Sequence, residues 1–394
     1  MQISLYRVKV PLKSDFANSH SRLDSLERVI AKITCPSDGG DSLLSGWGEA
    51  GVYKEPNYLY ETPETCLFIV QNYIAPALRE SLPANPAQLQ ELLGSITGYP
   101  AVKACFEMAF YDIWSQQQNQ PLNLSLLELA LSSANKLRLD SNELSTRTSL
   151  KAGATIGIAP STDQLREKIE ESIKQGYTRI KLKVDSRRET VESIKSLGYV
   201  GTLSNVTWVA DCNGAFSLAS KADIEVLKLL DTLGFSFIEQ PLAPLDFVGH
   251  RELRKSMDTP ICLDESIDSP FAIETAYELS ACDAISVKLS RTGSFAKAIE
   301  CAILARAHSI DVWCGAVHDL GIGKLANIAL ASLSCFSLPG DLTGSNYYFH
   351  KDILDNDILV EQGRISVPNG PEFGIRVNEN QVDQYSEQVI ELGR

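Results

Sequence analysis

The sequence lacks any stretch near the roughly 18 consecutive apolar residues of a membrane-spanning helix. Its start, MQISLYRVKVPLKSDF, alternates like a strand and has no apolar core of a secretory signal. No Lys/Arg run exceeds two residues, and 36 basic against 50 acidic residues give a formal net charge of −14. Such a chain repels nucleic acid and anionic membrane surfaces. The nine cysteines are odd in number and no two stand as C-x-x-C. Several lie inside apolar runs, such as Ile261-Cys262-Leu263 and Trp313-Cys314-Gly315, so they read as small buried hydrophobes in a reducing compartment. No zinc-ligand spacing, low-complexity segment or long linker occurs. Together these absences lead to the expectation of a cytoplasmic protein that handles a small molecule, with no nucleic-acid or membrane partner. A homo-oligomer is compatible with them. The acidity does not forbid an anionic substrate, because a bound divalent cation can dominate the local field.

What is present is a rhythm. From about residue 150, short apolar runs begin near Lys151, Arg179, Val206, Phe235, Pro260, Ala284, Asp311 and Phe336, roughly 24 to 29 residues apart. Helix-like segments lie between them. In 163–176, Leu165, Ile169 and Ile173 recur at four-residue spacing before a stop at Gly176. Eight strands alternating with helices predict a closed parallel (β/α)₈ barrel. The alternative, an open doubly wound sheet, lacks its glycine-rich dinucleotide fingerprint. Residues 1–50 read instead as antiparallel strands with a turn at Gly39-Gly40, and 64–130 as helices. The expected division is an α+β capping domain over 1–130, the barrel over 131–350, and a segment 351–394 that packs back on the capping domain.

In such barrels the chemistry sits at the C-terminal ends of the strands. The second strand ends in Lys181-Leu182-Lys183, and period-two alternation aims both lysines inward. The next three strands stop at Asp211-Cys212-Asn213, Glu239-Gln240-Pro241 and Asp264-Glu265-Ser266. Each carboxylate alone reads equally well as a helix N-cap. Three in register repel one another unless a cation holds them, and oxygen-only donors favour Mg²⁺, with Mn²⁺ as a substitute, over zinc or copper. The sixth strand ends at Lys288, roughly across the barrel from the second. Burial and like charge are expected to lower the lysine pKa values and make one available as a base.

This set, Lys181-x-Lys183, Asp211-x-Asn213, Glu239-Gln240-Pro241, Asp264-Glu265-Ser266 and Lys288, resembles the enolase superfamily in its muconate-lactonizing subgroup. Gly46-Trp47-Gly48-Glu49 resembles a turn of that family's capping domain. The stretches 102–109, 260–266, 327–332 and 338–341 are similar to the branch of o-succinylbenzoate synthases and N-succinylamino acid racemases. The resemblance implies that Asp211, Glu239 and Asp264 ligate Mg²⁺, that Lys183 takes the proton α to a carboxylate, and that Lys288 works on the opposite face. It implies that Lys181 neutralises the enediolate and that Asn213 and Glu265 support the ligands. The leading expectation is a syn-dehydration to o-succinylbenzoate on the menaquinone route. The runner-up is N-acylamino acid racemisation, then a lactonizing cycloisomerase. From another class, a non-catalytic carboxylate binder remains.

The chain also departs from the branch. Gly315-Ala316-Val317-His318-Asp319 stands where the branch usually has Gly-Gly-Met-Leu-Glu. Asp319 is therefore one methylene short, and His318 is either an extra acid or carboxylate binder or a plain pocket-lining residue. Asp341-Leu342-Thr343 lacks the Asp-x-Asp that dipeptide epimerases use, which disfavours a dipeptide substrate. The 16–22 loop is expected over the barrel mouth, with His20 and Arg22 reaching an anionic substrate tail or merely facing solvent.

Overall fold

A computed structural model of the chain describes residues 1–19, 21–37, 42–81 and 83–393. His20 and the expected Gly39-Gly40 turn lie outside them. Strands β1 (Gln2–Ala17), β2 (Arg22–Pro36) and β3 (Leu43–Ala50) form the expected antiparallel meander. Alternation decides what each face meets. Ile3, Leu5, Val29, Ala31 and Ile33 pack against the capping helices, while Tyr6, Val8, Val10, Leu26 and Ile30 turn toward the barrel. The central capping helix, Pro100–Gln118, has proline at its first position and stops at a left-handed Asn119. It lies directly on the β3 backbone: a Cβ on Gly46 or Gly48 would collide with the carbonyl oxygens of Ala109 or Cys105. That contact explains the two glycines of GWGE, which is a stretch of β3 and not the expected turn.

Two further strands form a short antiparallel pair beside the barrel, β4 (Ser149–Lys151) and, late in the chain, β12 (Arg364–Ser366). The barrel consists of β5 (Gly153–Ile156), β6 (Arg179–Lys183), β7 (Thr207–Asp211), β8 (Phe237–Glu239), β9 (Ile261–Leu263), β10 (Ala284–Val287) and β11 (Asp311–Cys314), parallel and in sequence order. The first barrel strand thus begins at Gly153, not at Lys151, which the β4 pairing claims. The eighth expected strand, from Phe336, does not form. Instead Leu338 N–H bonds Val312 O at 3.0 Å, Asp341 N–H bonds Cys314 O at 3.2 Å, and Gly153 N–H bonds Leu342 O at 3.0 Å. Residues 338–342 therefore bridge both edges of a curled seven-stranded sheet without a regular ladder, because Pro339 has no N–H to donate. Serine or aspartate caps start five of the crossover helices, at Ser161, Ser220, Asp246, Ser269 and Ser294. The last strand, β13 (Ser386–Leu392), returns to pair with β1 and completes the capping sheet as its fourth strand. No helix among the described residues is long and apolar enough to cross a membrane.

Candidate active site

Lys181 and Lys183 share one face of β6, and the register aligns Lys183 with Asp211 and Asp211 with Glu239 on the next strands. The side chains that end β6, β7 and β8 are buried and converge. Lys183 Nζ donates to Asp211 Oδ2 at 2.6 Å and Asn213 Oδ1 at 2.8 Å. Lys181 Nζ lies 3.0 Å from Glu239 Oε1, 3.2 Å from Asp211 Oδ2 and 2.6 Å from Asp341 Oδ2. Lys288, just past β10, donates to Asp264 Oδ2 at 2.7 Å and to the Tyr58 hydroxyl. Strands β6 and β10 are four strands apart in the curled seven-stranded sheet whose edges residues 338–342 link, so Lys183 and Lys288 enter from opposite walls. Asn213 Nδ2 donates to Glu265 Oε1 at 2.8 Å. Gln240 braces the carboxylate loops, because its Oε1 accepts the N–H groups of Asp264 and Ser266 at 2.9 and 3.2 Å.

The electrostatics differ from expectation. Burial disfavours the Lys181 ammonium, but Asp341, Glu239 and Asp211 more than offset that and hold its pKa well above the ordinary value. Lys288 is likewise raised, since Asp264 outweighs its burial. The expected lowering is therefore not found for these two, because each ammonium sits against carboxylates. Asp264 is held well below the usual range: burial works against this, and Arg291, Lys288 and Lys181 overcome it. Glu239 goes the other way, pushed up to about 8 by burial and by repulsion from Asp211, which Lys181 does not cancel. Three carboxyl groups are crowded at the strand ends. Among the described residues no group of three His, Cys, Asp or Glu side chains is arranged to hold a metal ion. The carboxylate oxygens are turned to the lysines instead, since opposite charges pair when buried.

All three lysines line a cavity that His318, Asp319 and Tyr348 also wall. His318 has a left-handed backbone (φ 58°) and stacks edge-on against Phe16 and Tyr348. Burial, then the nearby Lys183 and Arg28, keep its pKa well below the ordinary value, so it faces the cavity as a neutral ring. Asp319 accepts from Asn327 Nδ2 at 2.8 Å. The tip of the β1–β2 hairpin does reach the barrel, with Ile158 N–H on Ala17 O at 2.8 Å. Arg22 is not part of the site: it is exposed and paired with Asp15 at 2.7 Å, and Asn18 is the hairpin residue that lines the cavity. Sequence reasoning missed Tyr58, Arg291 and the Lys181 partner Asp341. Arg291 binds Asp264 Oδ1 at 2.9 Å and the Tyr58 hydroxyl at 2.7 Å. Its position one helical turn after Lys288 was a usable signal, whereas Tyr58 sits in a loop with no periodicity.

Residues 164–381 match the family model described as enolase C-terminal domain-like. The chain belongs to the enolase superfamily. It is 34% identical to an o-succinylbenzoate synthase of Bacillus subtilis, covering 98% of this chain and 96% of that one. It is 31% identical to an N-succinylamino acid racemase of Thermus thermophilus, covering 94% and 92%. A solved enolase-superfamily structure from Listeria innocua superposes with a TM-score of 0.83 at 29% identity, covering 99% and 98%. The chain is thus an enzyme of that superfamily, with relatives that include a lyase and a racemase. Its donor set of three buried carboxylates on neighbouring strand ends is all oxygen, the chemistry that suits a hard divalent cation.

Proposed function

We propose that this enolase-superfamily enzyme abstracts a proton α to a carboxylate with Lys183 as base, and that its reaction is the syn-dehydration that yields o-succinylbenzoate. The observation that carries this reading is the pair Lys183 and Lys288 on opposite walls of one buried cavity, beside three carboxylates at adjacent strand ends. Asp211, Glu239 and Asp264 would hold Mg²⁺. Bound there, it supplies a fixed positive charge where the substrate carboxylate gains its second negative charge. A lysine that shares its carboxylate with a cation also loses part of the anionic pairing that holds its proton.

The residues then act in order. Lys183, as the free amine, takes the α-proton, and the C–H electron pair moves into the carboxylate to form an enediolate. The ammoniums of Lys181 and Lys288 stabilise that charge. The pair returns, the β C–O bond breaks on the same face, and the departing hydroxide takes the proton from Lys183 and leaves as water. Buried walls keep bulk water from quenching the enediolate. Neutral His318, Asp319 and Tyr348 contact the non-reacting end of the substrate. A second reading, racemisation of an N-succinylamino acid, draws on the same opposed lysines: Lys288 would deliver a proton to the face opposite Lys183.

The test pairs two variants. Lys183→Ala should lower turnover by about 10³-fold or more while Mg²⁺ binding, read by calorimetry, persists. Glu239→Gln should lose Mg²⁺ binding. Residual turnover in Lys183→Ala within tenfold of wild type removes the base assignment.

A further inference from the structure

The proton chemistry leaves Arg28 and the GWGE glutamate, Glu49, without a task. Both are fully buried, on adjacent strands of the capping sheet. They pair with each other at 3.4 Å, and apart from a 3.0 Å bond from Arg28 to Glu27 O their shorter bonds leave the sheet. Glu49 accepts the N–H groups of Leu320 and Gly323, each at 2.8 Å, at the start of the barrel helix Gly321–Ala331. Arg28 donates to Val317 O at 2.6 Å and to Val52 O, and its guanidinium lies 5.0 Å from the Tyr53 ring centre. The Tyr53 hydroxyl is 3.2 Å from Val317 O and 2.9 Å from His318 Nδ1. Gly51 closes the contact, since a Cβ there would strike the Val317 side chain.

Apart from the Arg28 bonds to Glu27 O and Val52 O, these bonds converge on the turn between β11 and that helix, which carries His318 and Asp319 into the cavity. The left-handed conformation of His318 is one that a histidine keeps only where its surroundings dictate it. A buried ion pair is a poor way to gain stability, because apolar residues of similar size fill such space without losing hydration. Directional bonds to a backbone turn are what an apolar pair could not supply.

We propose that Arg28 and Glu49 are positioning residues for substrate selection. From the capping domain they set how far His318 and Asp319 project into the cavity, and so which non-reacting ends of a carboxylate substrate fit. The kinetic consequence rests on the function proposed above, whereas the structural consequence does not. Both are measured on the full chain in Arg28→Met and Arg28→Lys, with Tyr53→Phe deciding if the methionine variant does not fold.

Imidazole ¹⁵N NMR, with the His318 signal assigned through His318→Gln, should show that signal shifted in Arg28→Met and Tyr53→Phe and partly restored in Arg28→Lys. KM for the cyclohexadiene carboxylate precursor of o-succinylbenzoate should rise by about tenfold in Arg28→Met with kcat changed by less than about threefold, and Mg²⁺ binding should be unaltered. Unshifted His318 signals in a folded Arg28→Met or Tyr53→Phe overturn the proposal. So does a shifted signal with unchanged KM in an enzyme that turns the substrate over. If wild type turns over no such substrate, the function reading fails instead, and the NMR result still decides the clamp.

Discussion

Lys288 is the side chain whose replacement separates the two chemistries that the superfamily membership leaves open. As a charge stabiliser it lowers the barrier without moving a proton, so Lys288→Ala should slow dehydration by about 10²-fold. As a second base it is indispensable, so the same change should abolish stereochemical inversion of an N-succinylamino acid while one-sided α-deuterium exchange through Lys183 survives. Chiral chromatography and mass spectrometry of one reaction mixture read both. Inversion that persists in Lys288→Ala rules out the opposed-lysine account. At this scale the site was legible in the sequence where strand ends dictated it: Lys181, Lys183, Asp211, Glu239, Asp264 and Lys288 all meet at the mouth of the barrel. Proton affinities were not legible, because they depend on which carboxylate each ammonium touches. Arg22 was misjudged for a related reason, as its nearest anion, Asp15, lies across its own hairpin.

Helices and strands of the capping domain reach the barrel through buried carboxylates. Glu107, on the helix Pro100–Gln118, accepts the Phe295 N–H at the start of the barrel helix Phe295–Ala307, beyond Lys288. Burial pushes its pKa from 4.5 up to about 8. A carboxyl raised on folding binds its proton more tightly in the native chain than in the unfolded one. Its contribution to stability is therefore complete below about pH 4.5 and lost as pH rises through about 8. Glu107→Gln keeps an accepting oxygen and removes the ionisation. Between pH 5 and 8.5, urea titrations should show the variant gaining about 2 kcal/mol or more on wild type, and parallel stability curves would refute the buried, protonated carboxyl. Gly48→Ala tests the packing of β3 on the same helix. With Cys105 O in the way, it should cost about 2 kcal/mol or more, seen as a lower Tm. The alternating pattern disclosed the meander and the eight-station rhythm. The eighth station was misjudged because Pro339 sits within an apolar run and breaks a ladder that hydrophobicity alone suggests.

As a whole molecule, the chain closes on itself: β13 covers the β1 edge that would otherwise present unpaired backbone groups. Deleting residues 386–394 should expose that edge and produce oligomers on size exclusion, and a monodisperse protein of unchanged Tm would contradict this role. Asn18, Tyr53 and Tyr58 of the capping domain line the cavity beside the barrel residues, so the cavity depends on both domains. That dependence also explains why Tyr58 and Arg28 escaped notice in the sequence: they act across a domain boundary that no local pattern records. Proton abstraction next to the carboxylate, followed by dehydration, is read out most directly by turnover of the cyclohexadiene carboxylate precursor of o-succinylbenzoate with Mg²⁺ and with EDTA. A parallel assay follows α-deuterium exchange of N-succinyl amino acids. Fast dehydration that EDTA abolishes is the expected result. Exchange without dehydration would contradict the synthase and leave the racemase, and silence in both would contradict the assignment of this cavity to either substrate.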